Sequence, residues 1–297
     1  MNRLDDLRYQ HGYVLPPHPK ACGTATMSIE GYPAEDDEPM AETQFHARQI
    51  VTLSYQLEAF FGWEEKVYVG TDNFIYYQEG NPSKCVAPDI FVVLGVDAIP
   101  ARRSFYTWAE GAVPAIAFEF LSDETKRLDR QRKPQLYLQE IGMQEYFIHQ
   151  PQGTRRPESR GFRRTAAGEI VEIQPDERGA LFSETLNLWF LPEDQLDKVR
   201  LMRPYYPDGT PLPTYDEVKR ERDRFREERD YFKEEANAAE ARAQAEAKAR
   251  QAAEAKAQAE TQARHTAEAK AQAEAQARAE LEAELERLRL ILAQRSK

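Results

Sequence analysis

From Tyr215 to Lys297 the chain contains neither glycine nor proline and is dominated by Ala, Glu, Arg, Gln and Lys. Those residue types are strong helix formers, and the two residues that break helices are absent. A continuous helix of ~80 residues, rising 1.5 Å per residue, would reach roughly 120 Å, which is too long to fold back as a core element. The rest of the chain must therefore build its core without this segment. We expect an irregular arm over 1–42, a globular domain over 43–214 and a long helix over 215–297.

The long segment also repeats itself. Ala253 to Glu260 recurs almost unchanged as Ala267 to Glu274, a shift of 14 residues or two heptads. Leu281, Leu285, Leu288 and Leu292 follow at spacings of 4, 3 and 4, an a/d seam. A self-associating coiled coil, giving a homo-oligomer such as a dimer through 215–297, is the favoured reading. A solvated single helix held by propensity and i,i+4 pairs is the other.

The charge lies elsewhere. The helical segment has 18 basic and 19 acidic residues, whereas residues 1–214 have 22 basic against 32 acidic. Ten of the eleven net negative charges thus sit in the globular part. An acidic body is a poor non-specific binder of nucleic acid, because phosphate affinity comes from Lys and Arg. Basic residues do cluster locally at Arg102-Arg103, Lys126-Arg127, Arg130 to Lys133, Arg155-Arg156, Arg160 and Arg163-Arg164. Cys22 and Cys85 have no metal-ligand spacing and are too few for a disulfide framework. No signal-like start or membrane-length apolar run is present, so a cytoplasmic protein with no membrane association is expected.

Along the globular part, Thr43 is placed to cap a helix whose Ile50, Leu53, Leu57, Phe60 and Phe61 form one apolar stripe. His46, near its start, reads more simply as a structural or surface residue than a catalytic one. Strand-like runs follow at 66–69, 74–77, 90–94, 115–121 and 146–149, and further ones at 161–163, 170–173 and 186–190. Runs 90–94 and 115–121 are apolar almost throughout, as in strands buried on both faces. The order predicts an α/β domain with a mixed central sheet flanked by helices.

Two carboxylates mark this pattern. Asp89 follows Pro88 at the head of one buried strand, and Glu119 interrupts the apolar run of another. An unpaired charge there would be costly to bury. A metal would compensate it, and so would a salt bridge to Lys133 or Arg130. Two carboxylates on neighbouring strands beside a cation suit magnesium-dependent phosphodiester hydrolysis, since Mg²⁺ takes oxygen ligands and needs only one or two from the protein.

These residues resemble the Uma-two family of restriction-type endonucleases within the PD-(D/E)xK nuclease superfamily. The resemblance covers most of residues 43–215. It rests on Ala87-Pro88-Asp89-Ile90-Phe91-Val92-Val93, Tyr106 to Gly111, Phe118-Glu119-Phe120-Leu121-Ser122, Thr125 with Asp129, Lys133 with Tyr137, and Gly142 to Phe147. It implies a restriction-endonuclease-like mixed sheet and a site in which Asp89 and Glu119 hold Mg²⁺ (or Mn²⁺) while Lys133 orients the water or stabilises developing charge. The implied activity is endonucleolytic cleavage of DNA, which a dimer would suit, since cutting two strands takes two sites. Leu121 stands where the superfamily signature has Lys, so the cation must come from Lys133. Asp129, Lys133 and Tyr137 are spaced to share one helix face, although Pro134 biases that helix towards a later start. The competing reading is a catalytically inactive nuclease-fold interaction protein working through its coiled coil. No glycine-rich phosphate loop supports another phosphate ester.

Overall fold

The structure, a computed structural model, describes residues 8, 10–34, 43–62, 66–121, 132–151, 158–195 and 199–295. The chain divides into two compact units, Met1–Arg220 and Glu221–Lys297.

In the first unit, helix α1 (Gln44–Phe61) is capped by Thr43, whose hydroxyl accepts the His46 N–H at 3.3 Å. Strands β1 (Val67–Thr71), β2 (Phe74–Tyr76), β3 (Cys85–Val86), β4 (Ile90–Leu94) and β5 (Ser104–Tyr106) follow, then a short helix α2 (Thr107–Glu110) and strand β6 (Ile116–Phe120). A helical turn α3 (Lys133–Gln135) runs directly into a π-helix over Leu136–Ile141. Strands β7 (Glu145–His149), β8 (Ser159–Arg164), β9 (Ile170–Ile173), β10 (Leu181–Ser183), β11 (Leu188–Asp194) and β12 (Arg200–Tyr205) complete the unit. Helix α4 (Tyr215–Arg295) then runs to the end of the described residues.

The central sheet has the order β1-β4-β6-β7-β8-β9. Only β6 and β7 run parallel, the other neighbours being antiparallel. The mixed α/β architecture therefore matches the sequence pattern. Alternation along the two central strands splits the core. Ile90, Val92, Ile116, Phe118 and Phe120 face α1 and its Leu53, Leu57 and Phe61. Phe91, Val93 and Ala117 face the helical segment 133–141 through Tyr137, Leu138 and Ile141. Helices thus cover both faces, which is why β4 and β6 are apolar at nearly every position.

Four strands escaped the sequence pattern for visible reasons. β3 has two residues and β10 three, β5 pairs only with β2 in a separate small sheet, and β12 buries Leu201 and Met202 side by side rather than in alternation. The run expected from Leu186 begins instead at Leu188, because Asn187 turns the backbone into the left-handed region at φ +53°. Within the arm, Tyr13 enters the core and donates its hydroxyl to the Leu186 carbonyl at 2.6 Å.

Gly70 lies opposite Phe91 across β1 and β4, and the Phe91 ring lies over it. A β-carbon there would come within 2.3 Å of the ring. Gly70→Ala is expected to cost about 1–3 kcal/mol by forcing a fully buried phenylalanine off its rotamer, measurable as a lower urea midpoint at unchanged slope.

The described residues of the second unit, 221–295, are all helix. Its register includes i,i+4 ion pairs such as Arg250–Glu254 and Arg264–Glu268, each at 3.1 Å. No helix among the described residues is long and apolar enough to cross a membrane.

Candidate active site

The register of β4 with β6 pairs Ile90 with Phe118, so one step further brings Asp89 opposite Glu119. Alternation turns Glu119 towards the face covered by Tyr137, while Asp89, just ahead of β4, reaches His46 of α1. Asp89 is tied to its surroundings at several points. Its carbonyl accepts the Asp72 N–H at 3.3 Å, its Oδ2 accepts the Phe120 N–H at 2.5 Å, and the same oxygen lies 3.1 Å from Nε2 of His46. Oδ1 has no hydrogen-bond partner among the described residues.

Glu119 meets its cost of burial on the other side. Its Oε1 accepts the Tyr137 hydroxyl at 2.6 Å and the Lys133 ammonium at 2.9 Å. Burial first, then the Glu119 charge, pushes the Tyr137 hydroxyl well above its ordinary pKa, so it stays a proton donor to the carboxylate. The Lys133 side chain is 29% exposed against 7% for Glu119, which puts the positive charge at the mouth of the site.

The helical segment is shaped for this. Pro134 occupies the first turn, where its missing N–H costs nothing. The described helix accordingly begins at Lys133, later than the Asp129 start of the sequence pattern; Asp129 and Arg130 lie outside the described residues. Four residues apart, Lys133 and Tyr137 reach the same oxygen. The π-turn closes with Gly142, at φ +94°, whose N–H bonds the Tyr137 carbonyl at 3.1 Å. Such widened turns recur at functional sites.

Asp89, Glu119 and Lys133 are therefore brought together. His46 joins them, against its reading as a bystander; its position three residues past a helix cap gave no hint of what lay across the sheet edge. Leu121 is buried among apolar side chains, so the site's cation could not stand at that position. The basic cluster fares differently. Arg102 is buried and held by Glu110, which takes it out of reach of a phosphate, whereas Arg160 and Arg163, partly exposed, pair with Glu172 and Glu145. Arg132 and Arg103 are exposed, while Lys126, Arg127, Arg155 and Arg156 lie outside the described residues.

Among the described residues no group of three or more His, Cys, Asp or Glu could hold a metal ion. The donor set is two carboxylates, one with an uncommitted oxygen. That fits a hard divalent cation that keeps most of its waters and does not fit zinc, which takes three or four protein ligands.

His149, at the end of β7 and paired with Phe120, is fully buried. Nε2 bonds the Arg200 carbonyl at 2.8 Å, whereas Nδ1 has no hydrogen-bond partner among the described residues. Burial lowers its pKa from 6.5 to about 4. The unfolded chain therefore takes up a proton between those values that the folded chain refuses, and stability falls as pH drops through that window. Wild-type protein is expected to lose about 2 kcal/mol more between pH 7 and pH 5 than His149→Asn, read from urea unfolding at each pH.

No family model matches the chain, and no curated protein matches it. Among solved structures, the chain is similar to a crystal structure described as a candidate nuclease belonging to DUF820, from Anabaena variabilis ATCC 29413. The identity is 14%, the TM-score 0.32, and the match covers 58% of this chain and 85% of the other. A likeness at that level fixes neither fold nor function.

Proposed function

We propose that this chain is a metal-dependent endonuclease that hydrolyses DNA phosphodiester bonds. The observation that carries the reading is the juxtaposition of Asp89 and Glu119 at the ends of adjacent strands, with Lys133 and Tyr137 on one carboxylate and His46 on the other. A binding module has no need of a glutamate inside an apolar strand.

Asp89 and Glu119 would hold Mg²⁺ or Mn²⁺, which when bound would supply charge compensation for the phosphate and a polarised water for the attack. Tyr137 holds Glu119 in one orientation through a hydroxyl that stays protonated. His46 and the Phe120 N–H do the same for Asp89, leaving Oδ1 open. Lys133, partly exposed, offers an ammonium to the developing charge on the phosphate.

A second reading, the inactive interaction protein, draws on the Lys133–Glu119 ion pair, which already neutralises the glutamate without a metal. Supercoiled plasmid incubated with Mg²⁺, Mn²⁺ or EDTA separates the two. Nicking that needs the metal and falls by about 10²–10³ in Lys133→Ala supports the nuclease. An absence of cleavage with either metal sinks it in favour of the interaction protein.

A further inference from the structure

We propose that helix α4 pairs with a second copy of this chain as an antiparallel two-stranded coiled coil, in a register set by its arginines and glutamates. The observations lie on the helix itself and are independent of the nuclease reading. Phe225, Phe232, Leu281 and Leu288 fall in one heptad phase, with Phe232 and Leu281 separated by 49 residues or seven heptads. Phe232, Leu281, Leu285 and Leu288 are 64%, 65%, 50% and 53% exposed, a run of large apolar side chains on a helix otherwise built of small and charged ones.

Taking these as d, with Leu285 as a, assigns every position between. The a positions read Ala243, Arg250, Ala257, Arg264, Ala271 and Arg278; the d positions read Ala239, Glu246, Ala253, Glu260, Ala267 and Glu274. Arginine at a and glutamate at d each recur every 14 residues. All six charged residues are exposed in the single chain.

A parallel, in-register pair would stack Arg250 on Arg250 and Glu260 on Glu260, giving six like-charged layers. Antiparallel pairing sets a against d. With the two-fold axis near Gln262, Arg250, Arg264 and Arg278 meet the partner's Glu274, the partner's Glu260 and the partner's Glu246. The same register sets Leu281, Leu285 and Leu288 against the partner's Ala243, the partner's Ala239 and the partner's Ala236, large against small. Ala257 and Ala271 meet the partner's Ala267 and the partner's Ala253. Between residues 236 and 288 one register therefore satisfies the charged layers and the apolar ones together, and this complementarity selects a second copy of the chain as the occupant. Glu254 and Glu268, which hold Arg250 and Arg264 within the chain, sit at e positions and stay beside the seam. The flanking positions favour the parallel form, since Glu228 would pair there with Lys233 while the antiparallel register sets Glu254 beside the partner's Glu268 and Lys256 beside the partner's Lys270, but exposed pairs weigh little against like charges forced into a seam.

The test uses the full chain with Cys22→Ser and Cys85→Ser and a spin label at Gln276→Cys, read by sedimentation and by electron-electron distance measurement. The expected result is a dimer whose labels lie ~42 Å apart, 28 residues at 1.5 Å each. Labels within about 20 Å, the helix separation plus two label arms, would mean a parallel pair and overturn the proposal. A monomer at micromolar concentration would overturn it as well. In parallel, Arg250→Glu, Arg264→Glu and Arg278→Glu combined should weaken self-association at least tenfold while helicity persists. Adding Glu246→Arg, Glu260→Arg and Glu274→Arg to the same chain should restore it; little change in the first variant also counts against the antiparallel register.

Discussion

Asp89→Asn is expected to reduce metal-dependent plasmid cleavage by about 10³-fold, roughly 4 kcal/mol of barrier, while leaving the fold intact. The substitution is nearly isosteric. An asparagine carbonyl oxygen in the place of Oδ2 can still accept the Phe120 N–H and an Nε2–H of a neutral His46 ring, so both anchors of the side chain survive. What disappears is the negative charge and the strong oxygen ligand at Oδ1. A truncation to alanine would mix this loss with an orphaned buried N–H, which is why asparagine is the cleaner variant. Cleavage rates with saturating Mg²⁺, set beside thermal unfolding of the same preparation, decide the matter. A variant that cuts within tenfold of wild type would remove Asp89 from the catalytic centre. Full loss of cleavage together with a collapsed unfolding midpoint would leave only a folding role.

The largest effect on stability is expected at Arg102. Its guanidinium is buried and makes a two-pronged contact with Glu110, Nε to Oε1 at 2.7 Å and Nη2 to Oε2 at 2.9 Å. It also donates to the Asp97 carbonyl at 2.8 Å and lies 4.3 Å over the Tyr68 ring. Glu110 in turn accepts the Thr26 N–H at 3.0 Å, which pins the N-terminal arm. Arg102→Ala strands a glutamate that is 2% exposed, and breaking a buried pair in this way costs about 3–5 kcal/mol. For a unit of this size that corresponds to a fall in Tm of roughly 10 °C. The double variant Arg102→Met with Glu110→Leu should recover part of the loss, because it leaves no unpaired charge behind. If the double variant is less stable than either single one, the ion pair is not what holds this corner together.

Arg102 also shows where sequence reading stops. As one half of an Arg-Arg pair it stood among the locally clustered basic residues; only the fold reveals that the strand–helix corner from Ser104 to Glu110 brings a glutamate back over it. Asp89 and Glu119 were legible because each violates a local rule, an acid at the head of or within a run buried on both faces. Lys133 was legible through its spacing to Tyr137. His46 broke no local rule, since a histidine in the first turn of an amphipathic helix is unremarkable until the helix is packed. His149 was equally silent, as a strand histidine says nothing about whether its second nitrogen will find a partner.

By itself, the sequence determined the elements whose signal is local and periodic. The capped helix of 44–61, the two doubly buried strands, the late start forced by Pro134 and the unbroken helix beyond Tyr215 all follow from side-chain spacing and backbone propensity. Tertiary structure alone decided which strand edges meet. The antiparallel register of β4 with β6 sets two carboxylates, 30 residues apart in the chain, beside each other. The helix that follows β6 then delivers Lys133 and Tyr137 to one oxygen of Glu119, and α1 delivers His46 to Asp89 from the opposite side. Those contacts depend on long-range pairing, which buries apolar area wherever the whole sheet packs best and which no local pattern of residues encodes.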